Sequence, residues 1–442
     1  MQANRESALP SCAVRSPYEA KLTASVGDRE CAYPRAMDTE QAGRSNLGTR
    51  RTTKRRRGLR RVCVGLGCLI LGILVWLVSS FAVYMLRPSS MNFSEKSAEW
   101  VRTLPFGNWA VDEVEHIYYS DHAPKKGGPQ LTTLPSVGLS KTAGRGLPTT
   151  LGAHHTQSAW PAPIAPVFAT PLPGEGVWKR TGPSVQGKPP VLVTTYRPDP
   201  AYPQMVAYVA WFNHSLVDLA YYPGRYEPPK ASDRGPSMVP YDQRNRLLAT
   251  FNAGFIYSDG DNGSAVNGHT NEPLTNGNAT LIGYKDGQVS IVVWHGGPSP
   301  GSNVAWARQS LAPIMWHRIL NPELNTDPDS PQWGFTVGNA VRVWRTGVGI
   351  DKEGNLIYVV ANDQTVVSLA QILRHAGAID AMEFDINADW HTLITYSHEH
   401  GLDPTMVEPQ HEQSVDRYLY PDDRDFFAVY ERIPGPVTVP LS

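Results

Sequence analysis

Cysteine is scarce in this sequence. Only four occur in 442 residues, Cys12, Cys31, Cys63 and Cys68, and none follows. Everything downstream of Cys68 therefore has no disulfide framework and no thiol nucleophile. A secreted eukaryotic domain of this size would usually carry cysteines, so the pattern leans towards a bacterial surface protein. In that setting the Asn-x-Ser/Thr triplets at Asn213, Asn262 and Asn278 carry no glycosylation signal. Net charge is also nearly absent, at −1. A dedicated nucleic-acid binder would show a basic footprint, so nucleic acid is not an expected partner. There is no Walker A loop, no nicotinamide-binding glycine fingerprint and no Gly-x-Ser-x-Gly elbow.

The near-neutral balance averages two unlike parts. Residues 1–61 hold 14 Lys and Arg against 6 Asp and Glu, a net +8, and the remainder is a net −9. Between them, from Val62 to Leu86, there is no charge at all. A helix over this run, at about 1.5 Å per residue, exceeds the roughly 30 Å hydrocarbon core of a bilayer. Trp76 and Tyr84 suit a helix nearing an interface. Arg50, Arg51, Lys54, Arg55, Arg56, Arg57, Arg60 and Arg61 crowd its N-terminal flank, whereas only Arg87 and Lys96 lie close on the other side. The positive-inside rule then expects a cytoplasmic N-terminus and an exterior C-terminal part, a single-pass type II arrangement in the cell membrane. The polar region ahead of the run is too long, and the run itself too long, for a cleaved signal peptide.

Residues 1–61 are expected to be a disordered cytoplasmic tail, 62–86 a transmembrane helix, and 87–176 a juxtamembrane segment with a Pro/Gly-rich linker. Within the last, a short helix is expected around Ser94 to Leu104, with Trp100 and Val101 as packing residues. From about Val177 the texture changes to short β-type runs separated by turn residues. PVLVTTYRP, QMVAYVAWFN, LLATFNAGF, TLIGYKDGQVSIVVWH and RVWRTGVGIDKEGNLIYVVAN all read as strands, the last two with hairpin turns at Lys285-Asp286-Gly287 and at Asp351 to Gly354. One helix is expected from Ser368 to Ala378. Leu369, Ile372, Leu373 and Ala376 form its apolar face, with Ser368 as N-cap and Gly377 just past the end. With its flanking strands it forms a βαβ-like unit. The expected fold class is mixed α/β (α+β): one globular exterior domain at 177–434 with a mixed sheet and few helices, then a tail at 435–442.

Chemistry is expected where strands end. In Ala381-MEFDI-Asn387 a period of two puts Glu383 and Asp385 on one strand face, about 6.5–7 Å apart at Cα. Paired carboxylates in that reach can split their pKa values into an acid and a base; a solvated strand face is the plainer alternative. Asn252 and Gly254, in FNAGF, end an apolar strand where the backbone can approach a ligand, though a turn or bulge accounts for them equally. Arg345 and Thr346 precede Gly-Val-Gly, where an Arg fork could meet a phosphate or carboxylate or a structural Asp. His391, His398, Glu399 and His400 are a weak metal candidate, because their spacing is not that of His-Glu-x-x-His.

FNAGF, WRTGVGI followed by Gly-NLIYVV, a Leu-rich helix and GAIDAMEFD, in that order, resemble the phosphodiester glycosidase domain family, over roughly residues 185–434. RDFFAVY at 424–430 also suits the family's end. The resemblance implies a mixed α/β domain that cleaves a sugar from a sugar phosphodiester. It implies substrate-binding roles for Asn252, Gly254, Arg345 and Thr346, and a catalytic role for Asp385, with Glu383 beside it. The sequence departs from the family after Asp385: it reads Asp385-Ile-Asn-Ala-Asp-Trp-His where the family has Asp-Gly-Gly-Gly-Ser. No cofactor is expected, and a divalent metal is left open. The expected function is a membrane-anchored extracytoplasmic glycosidase-type hydrolase acting on a sugar conjugate, with the bilayer and a sugar phosphodiester or envelope glycan as partners. The alternative is a non-catalytic glycan-binding or envelope-assembly module.

Overall fold

The structure is a computed structural model that describes residues 49–137, 160–231, 234–257, 260, 262–326, 330–334, 342–409 and 413–433. Residues 1–48 of the expected tail at 1–61, the expected tail at 435–442 and the middle of the expected linker, 138–159, lie outside the described residues, whereas 49–61 are not irregular but form the start of a helix. By its internal contacts the chain falls into two units, Met1–Ile73 and Leu74–Ser442.

Helix α1 (Thr49–Leu86) contains a segment, Arg61–Leu86, long and apolar enough to cross a membrane. Pro88 ends it, since proline disfavours a helical residue before it. Helix α2 (Phe93–Arg102) begins on a capping box in which Asn92 and Glu95 satisfy each other's backbone N–H groups, a reciprocal arrangement that fixes the helix start. The sequence expects this helix but not α3 (Gly107–His122), whose apolar and polar residues are poorly segregated.

The first half of the sheet-rich part contains β1 (Lys179–Arg180), β2 (Val191–Tyr196), β3 (Ala207–Phe212), β4 (Val217–Tyr222), β5 (Leu247–Asn252), β6 (Ser264–Val266), β7 (His269–Glu272), β8 (Ala279–Tyr284) and β9 (Val289–Val293). It continues with β10 (Val304–Gln309), β11 (Met315–Trp316), β12 (Ile319–Leu320), the short helix α4 (Glu323–Thr326), β13 (Val343–Asp351) and β14 (Leu356–Gln364). Helix α5 (Val366–His375), β15 (Ala378–Glu383), β16 (Leu393–Ser397), β17 (Asp403–Met406) and β18 (Phe426–Glu431) complete it. The class is α+β, with few helices and, among the described residues, one candidate membrane helix.

The described strands form three sheets, where the sequence suggests one. An eight-stranded sheet runs β1-β2-β3-β14-β13-β15-β11-β12, one five-stranded sheet runs β7-β6-β10-β8-β9, and another runs β17-β16-β5-β18-β4. Strands β14 and β15 are each antiparallel to β13, which lies between them. They therefore run in the same direction, and the expected βαβ unit is split by an inserted strand.

Both faces of the large sheet are covered. Tyr208, Ala210 and Phe212 of β3 join Tyr358 and Val360 of β14 in the core shared with the β5–β18 sheet. The alternate residues, Ala207, Val209, Trp211, Ile357 and Val359, pack with Leu369, Ile372 and Leu373 of α5. Strands buried on both faces read as unbroken apolar runs, which is how β3 and β14 appear in the sequence. Ile164 and Trp178 join the α5-side core, and the Gly176 N–H bonds the Thr195 carbonyl at 2.9 Å. The last part of the expected linker thus packs on the sheet.

The N-cap of α5 lies three residues before the expected one. Thr365 caps it, and Ser368 is the reciprocal partner at the third helical position. Gly377 follows with φ +106°, a left-handed conformation that suits glycine. The two glycines of Thr-Gly-Val-Gly serve the same helix. A Cβ on Gly347 would come within 3.1 Å of Leu373 and 3.2 Å of Leu369, and one on Gly349 within 2.5 Å of the Ala378 Cβ. They let α5 lie close on β13 and do not form a phosphate loop.

Candidate active site

Strand β13 brings Arg345 to Glu383 of its neighbour β15. Arg345 Nη1 donates to Glu383 Oε1 at 2.5 Å, and its Nε donates to the Gln364 carbonyl at 2.8 Å. Both side chains are buried. The sequence leaves Arg345 to meet a ligand or a structural Asp; in the structure its partner is a structural Glu, Glu383, whose other oxygen, Oε2, is buried without a hydrogen-bond partner among the described residues.

Just beyond Glu383 the ladder slips. The Phe384 N–H bonds the Thr346 carbonyl at 2.8 Å, but the Thr346 N–H bonds the carbonyl of Asp385, at 2.9 Å, rather than that of Phe384. Two residues thus oppose one, as in a β-bulge, which re-aims the side chain that follows. The strict alternation expected through Asp385 ends here. The plainer alternative, a solvated strand face, also fails, because Met382 to Ile386 are all buried.

Asp385 is held by a residue that the sequence reading missed. Arg424 Nη2 donates to Asp385 Oδ2 at 2.6 Å, and the Asn387 N–H caps Oδ1 at 2.9 Å. The Arg424 guanidinium lies 4.7 Å from the centre of the Trp390 ring and reaches the Gly254 carbonyl at 3.5 Å, while its Nε is buried without a partner among the described residues. The one signal in the sequence is a charged pair, Arg424-Asp425, set directly before the apolar run of β18. Asp425 anchors that pair from behind. It accepts from Arg308 Nε at 2.6 Å and from the Tyr221 hydroxyl at 2.8 Å, and Arg308 continues to the Phe255 carbonyl at 2.6 Å.

Asn252 and Thr346 complete the cluster. Asn252 Nδ2 donates to Thr346 Oγ1 at 3.1 Å, and Thr346 Oγ1 donates to the Asp385 carbonyl at 2.8 Å. Asn252 Oδ1 accepts from the Tyr358 hydroxyl at 2.6 Å and from the Thr392 N–H at 3.2 Å. The chain therefore brings Asn252, Gly254, Arg345, Thr346, Glu383 and Asp385 into one connected region, with Arg424 as a seventh member. Asn252 uses its amide inside the protein and fixes Thr346.

The two carboxylates sit in different environments. Burial pushes the Glu383 carboxyl up to about 7, the Arg345 guanidinium pulls against this, and the Asp385 charge adds to the rise. A carboxyl poised there is suited to donating a proton near neutral pH. Glu227, beside Arg424, is also raised by burial, with Arg424 opposing.

The histidine candidates do not converge. His391 is buried and stacks on Trp344 at 4.2 Å and 9° between planes, and burial drives it down to about 3. His398 Nε2 is hydrogen-bonded to the Leu247 carbonyl at 2.7 Å. Among the described residues there is no group of three or more His, Cys, Asp or Glu placed to hold a metal ion.

No protein-family model and no curated protein matches the sequence. Solved structures with weak likeness include three. The zebrafish N-acetylglucosamine-1-phosphodiester alpha-N-acetylglucosaminidase catalytic domain, auto-inhibited by its pro-peptide, is 16% identical over 57% of this chain and 87% of its own, at a TM-score of 0.35. A hypothetical protein from Synechocystis is 12% identical over 57% of this chain and 64% of its own, at 0.33. A putative exported protein from Burkholderia pseudomallei is 12% identical over 51% and 74%, at 0.24.

Proposed function

We propose that the chain is a membrane-anchored, extracytoplasmic hydrolase of the glycosidase type, acting on a sugar conjugate, with sugar phosphodiesters of the cell envelope as the first candidates. The observation that carries this reading is the pair of neighbouring carboxylates with separate arginine partners, Glu383 with Arg345 and Asp385 with Arg424. Glycoside hydrolysis needs two such carboxyl groups in different protonation states. In this reading Glu383 is the acid that protonates the departing oxygen. Asp385 is the nucleophile or the base that activates water. Arg424, with its unpartnered Nε, steadies negative charge on the leaving group.

The uncharged run and its basic N-terminal flank support a retained type II anchor. So do contacts at the end of α1: Trp100 donates to Ser80 Oγ at 3.2 Å, and Lys96 Nζ caps the carbonyls of Met85 and Arg87. A segment built into its neighbours in this way suits an anchor better than a removed leader.

A second reading, a non-catalytic glycan-binding or assembly module, draws on one observation. Glu383, Arg345 and Asp385 are only 2%, 3% and 5% exposed and bond to protein partners. The test is a screen of the full chain in detergent against sugar-1-phosphodiesters and envelope glycans, with and without divalent metal. Release of reducing sugar that disappears in Glu383→Gln supports the hydrolase. Binding without turnover, unchanged in Glu383→Gln, supports the module.

A further inference from the structure

Five residues, Arg87 to Met91, separate the end of α1 from the N-cap of α2. They do not hang free. The Ser89 hydroxyl donates to Asp423 Oδ2, the Ser90 N–H donates to the same oxygen at 3.1 Å, and the Asp423 N–H donates to Ser90 Oγ at 3.0 Å. The Tyr226 hydroxyl donates to the Pro88 carbonyl at 3.1 Å, and Arg225 braces the Asp423 carboxylate at 2.7 Å. Asp423 is the residue before Arg424, which holds Asp385. A second tie runs from α2: Gln413 Nε2 donates to Glu95 Oε1 and, at 2.7 Å, to the Asp389 carbonyl next to Trp390.

These ties limit how far the site can stand from the end of the span. Ser90 is four residues past Leu86. Even a fully extended chain keeps the Arg424 Cα within about 25 Å of Leu86. The interfacial zone of a bilayer adds about 5–7 Å beyond the hydrocarbon core on each side. A second observation points the same way. Three large aromatic residues just after the span, Phe93, Phe106 and Trp109, are 74%, 86% and 68% exposed. Aromatic side chains in that position are those that settle at the membrane–water interface.

We propose that the candidate site acts at the bilayer surface on sugar conjugates that are themselves anchored by a lipid, and that Phe93, Phe106 and Trp109 rest in the outer-leaflet interface. This rests on the hydrolase and anchor readings above and adds the substrate class. For a glycosyl phosphodiester of a lipid alcohol, the bond broken joins the anomeric carbon to the phosphate oxygen. Water supplies the hydroxyl that ends on the sugar, Glu383 supplies the proton that ends on the phosphate oxygen, and the proton lost by water restores the carboxyl groups. The products are free sugar and a lipid monophosphate that stays in the membrane.

The test uses the full chain in phosphatidylcholine vesicles with matched substrates, each sugar-1-phosphate as its methyl and its hexadecyl diester. The expected result is at least a tenfold higher kcat/KM for the hexadecyl diester. The double variant Phe106→Ser, Trp109→Ser loses that advantage while methyl-diester turnover is unchanged. Equal rates for the two diesters, or turnover of the methyl diester alone, overturn the lipid-anchored class and leave the hydrolase standing. Turnover of neither overturns both. A measurement independent of activity uses Ala388→Cys, with the four native cysteines replaced by serine, carrying a donor dye. Strong energy transfer to acceptors on lipid headgroups is expected, and its absence contradicts the placement.

Discussion

Arg424 reaches across 39 residues of sequence to bond Asp385, Nη2 to Oδ2 at 2.6 Å. This bond joins the strand entry before β18 to the bulge after β15 and gives Asp385 a cationic partner distinct from that of Glu383. Breaking a buried charge pair from one side typically costs about 3–5 kcal/mol, because the remaining charge is left unpaired. The Arg424 side chain keeps slight exposure, so Arg424→Met is expected at the lower end of that range by urea unfolding. In the proposed hydrolase, turnover is expected to fall about 100-fold or more. Arg424→Lys keeps the charge but not the planar fork and recovers only part of either quantity.

The raised Glu383 carboxyl makes stability depend on pH. Its folded-state value is about 7 and lies above the ordinary 4.5, so between these values the folded chain binds a proton that the unfolded chain has released. Its stabilising contribution is complete below about 4.5 and is lost as the pH rises through about 7. Thermal unfolding of wild type and Glu383→Gln is therefore expected to diverge from pH 5 to 8, with the variant losing less stability. If Glu383 is the acid of the proposed hydrolase, turnover is expected to fall across the same upper limb as the carboxyl deprotonates.

Two glycines separate packing from ligand approach. A Cβ on Gly254 would meet Ser310 Oγ at 3.4 Å, an ordinary contact, and its backbone has no positive φ, whereas one on Gly347 would lie 2.9 Å from the Met382 carbonyl oxygen. Gly254→Ala is expected to unfold within about 0.5 kcal/mol of wild type, as an unobstructed substitution does, while raising KM. Gly347→Ala is expected to lose about 1–3 kcal/mol by overpacking against α5. Urea curves and steady-state kinetics on the two variants check both.

The start of α5 gives a smaller, cleaner test. Thr365 Oγ1 accepts from the Ser368 N–H at 3.0 Å, and Ser368 Oγ accepts from the Thr365 N–H at 2.8 Å. Thr365→Ala is expected to cost about 1 kcal/mol in unfolding free energy, the usual loss for an N-cap, with no change in KM.

How much of this was legible depends on the range of each signal. The strands around Val191, Ala207, Leu247 and Val343, and the helix face of Leu369, Ile372 and Leu373, follow from local patterns, and so does the α+β class. The bulge at Phe384–Asp385 was not legible, since it arises from pairing between β13 and β15 and leaves no local mark. The Arg345–Glu383 and Arg424–Asp385 pairing is likewise set by which strand ends meet in space. Alternation alone could not tell which carboxylate faces which guanidinium. Thr365 was passed over because Thr-Val-Val reads as a continuing strand, although its hydroxyl at the N-cap overrides that propensity. Strands β6, β7, β11, β12 and β17 escape the sequence pattern because strands of two to four residues carry little periodic signal.

The central claim is that Asp385 is part of a working hydrolytic site. The most direct measurement is turnover by Asp385→Asn on a sugar-1-phosphodiester that the wild-type chain cleaves, with urea unfolding run in parallel. The account predicts a folded protein whose kcat is lower by a factor of about 10³ or more. Full activity in Asp385→Asn would contradict it and leave Asp385 as only the counter-ion of Arg424.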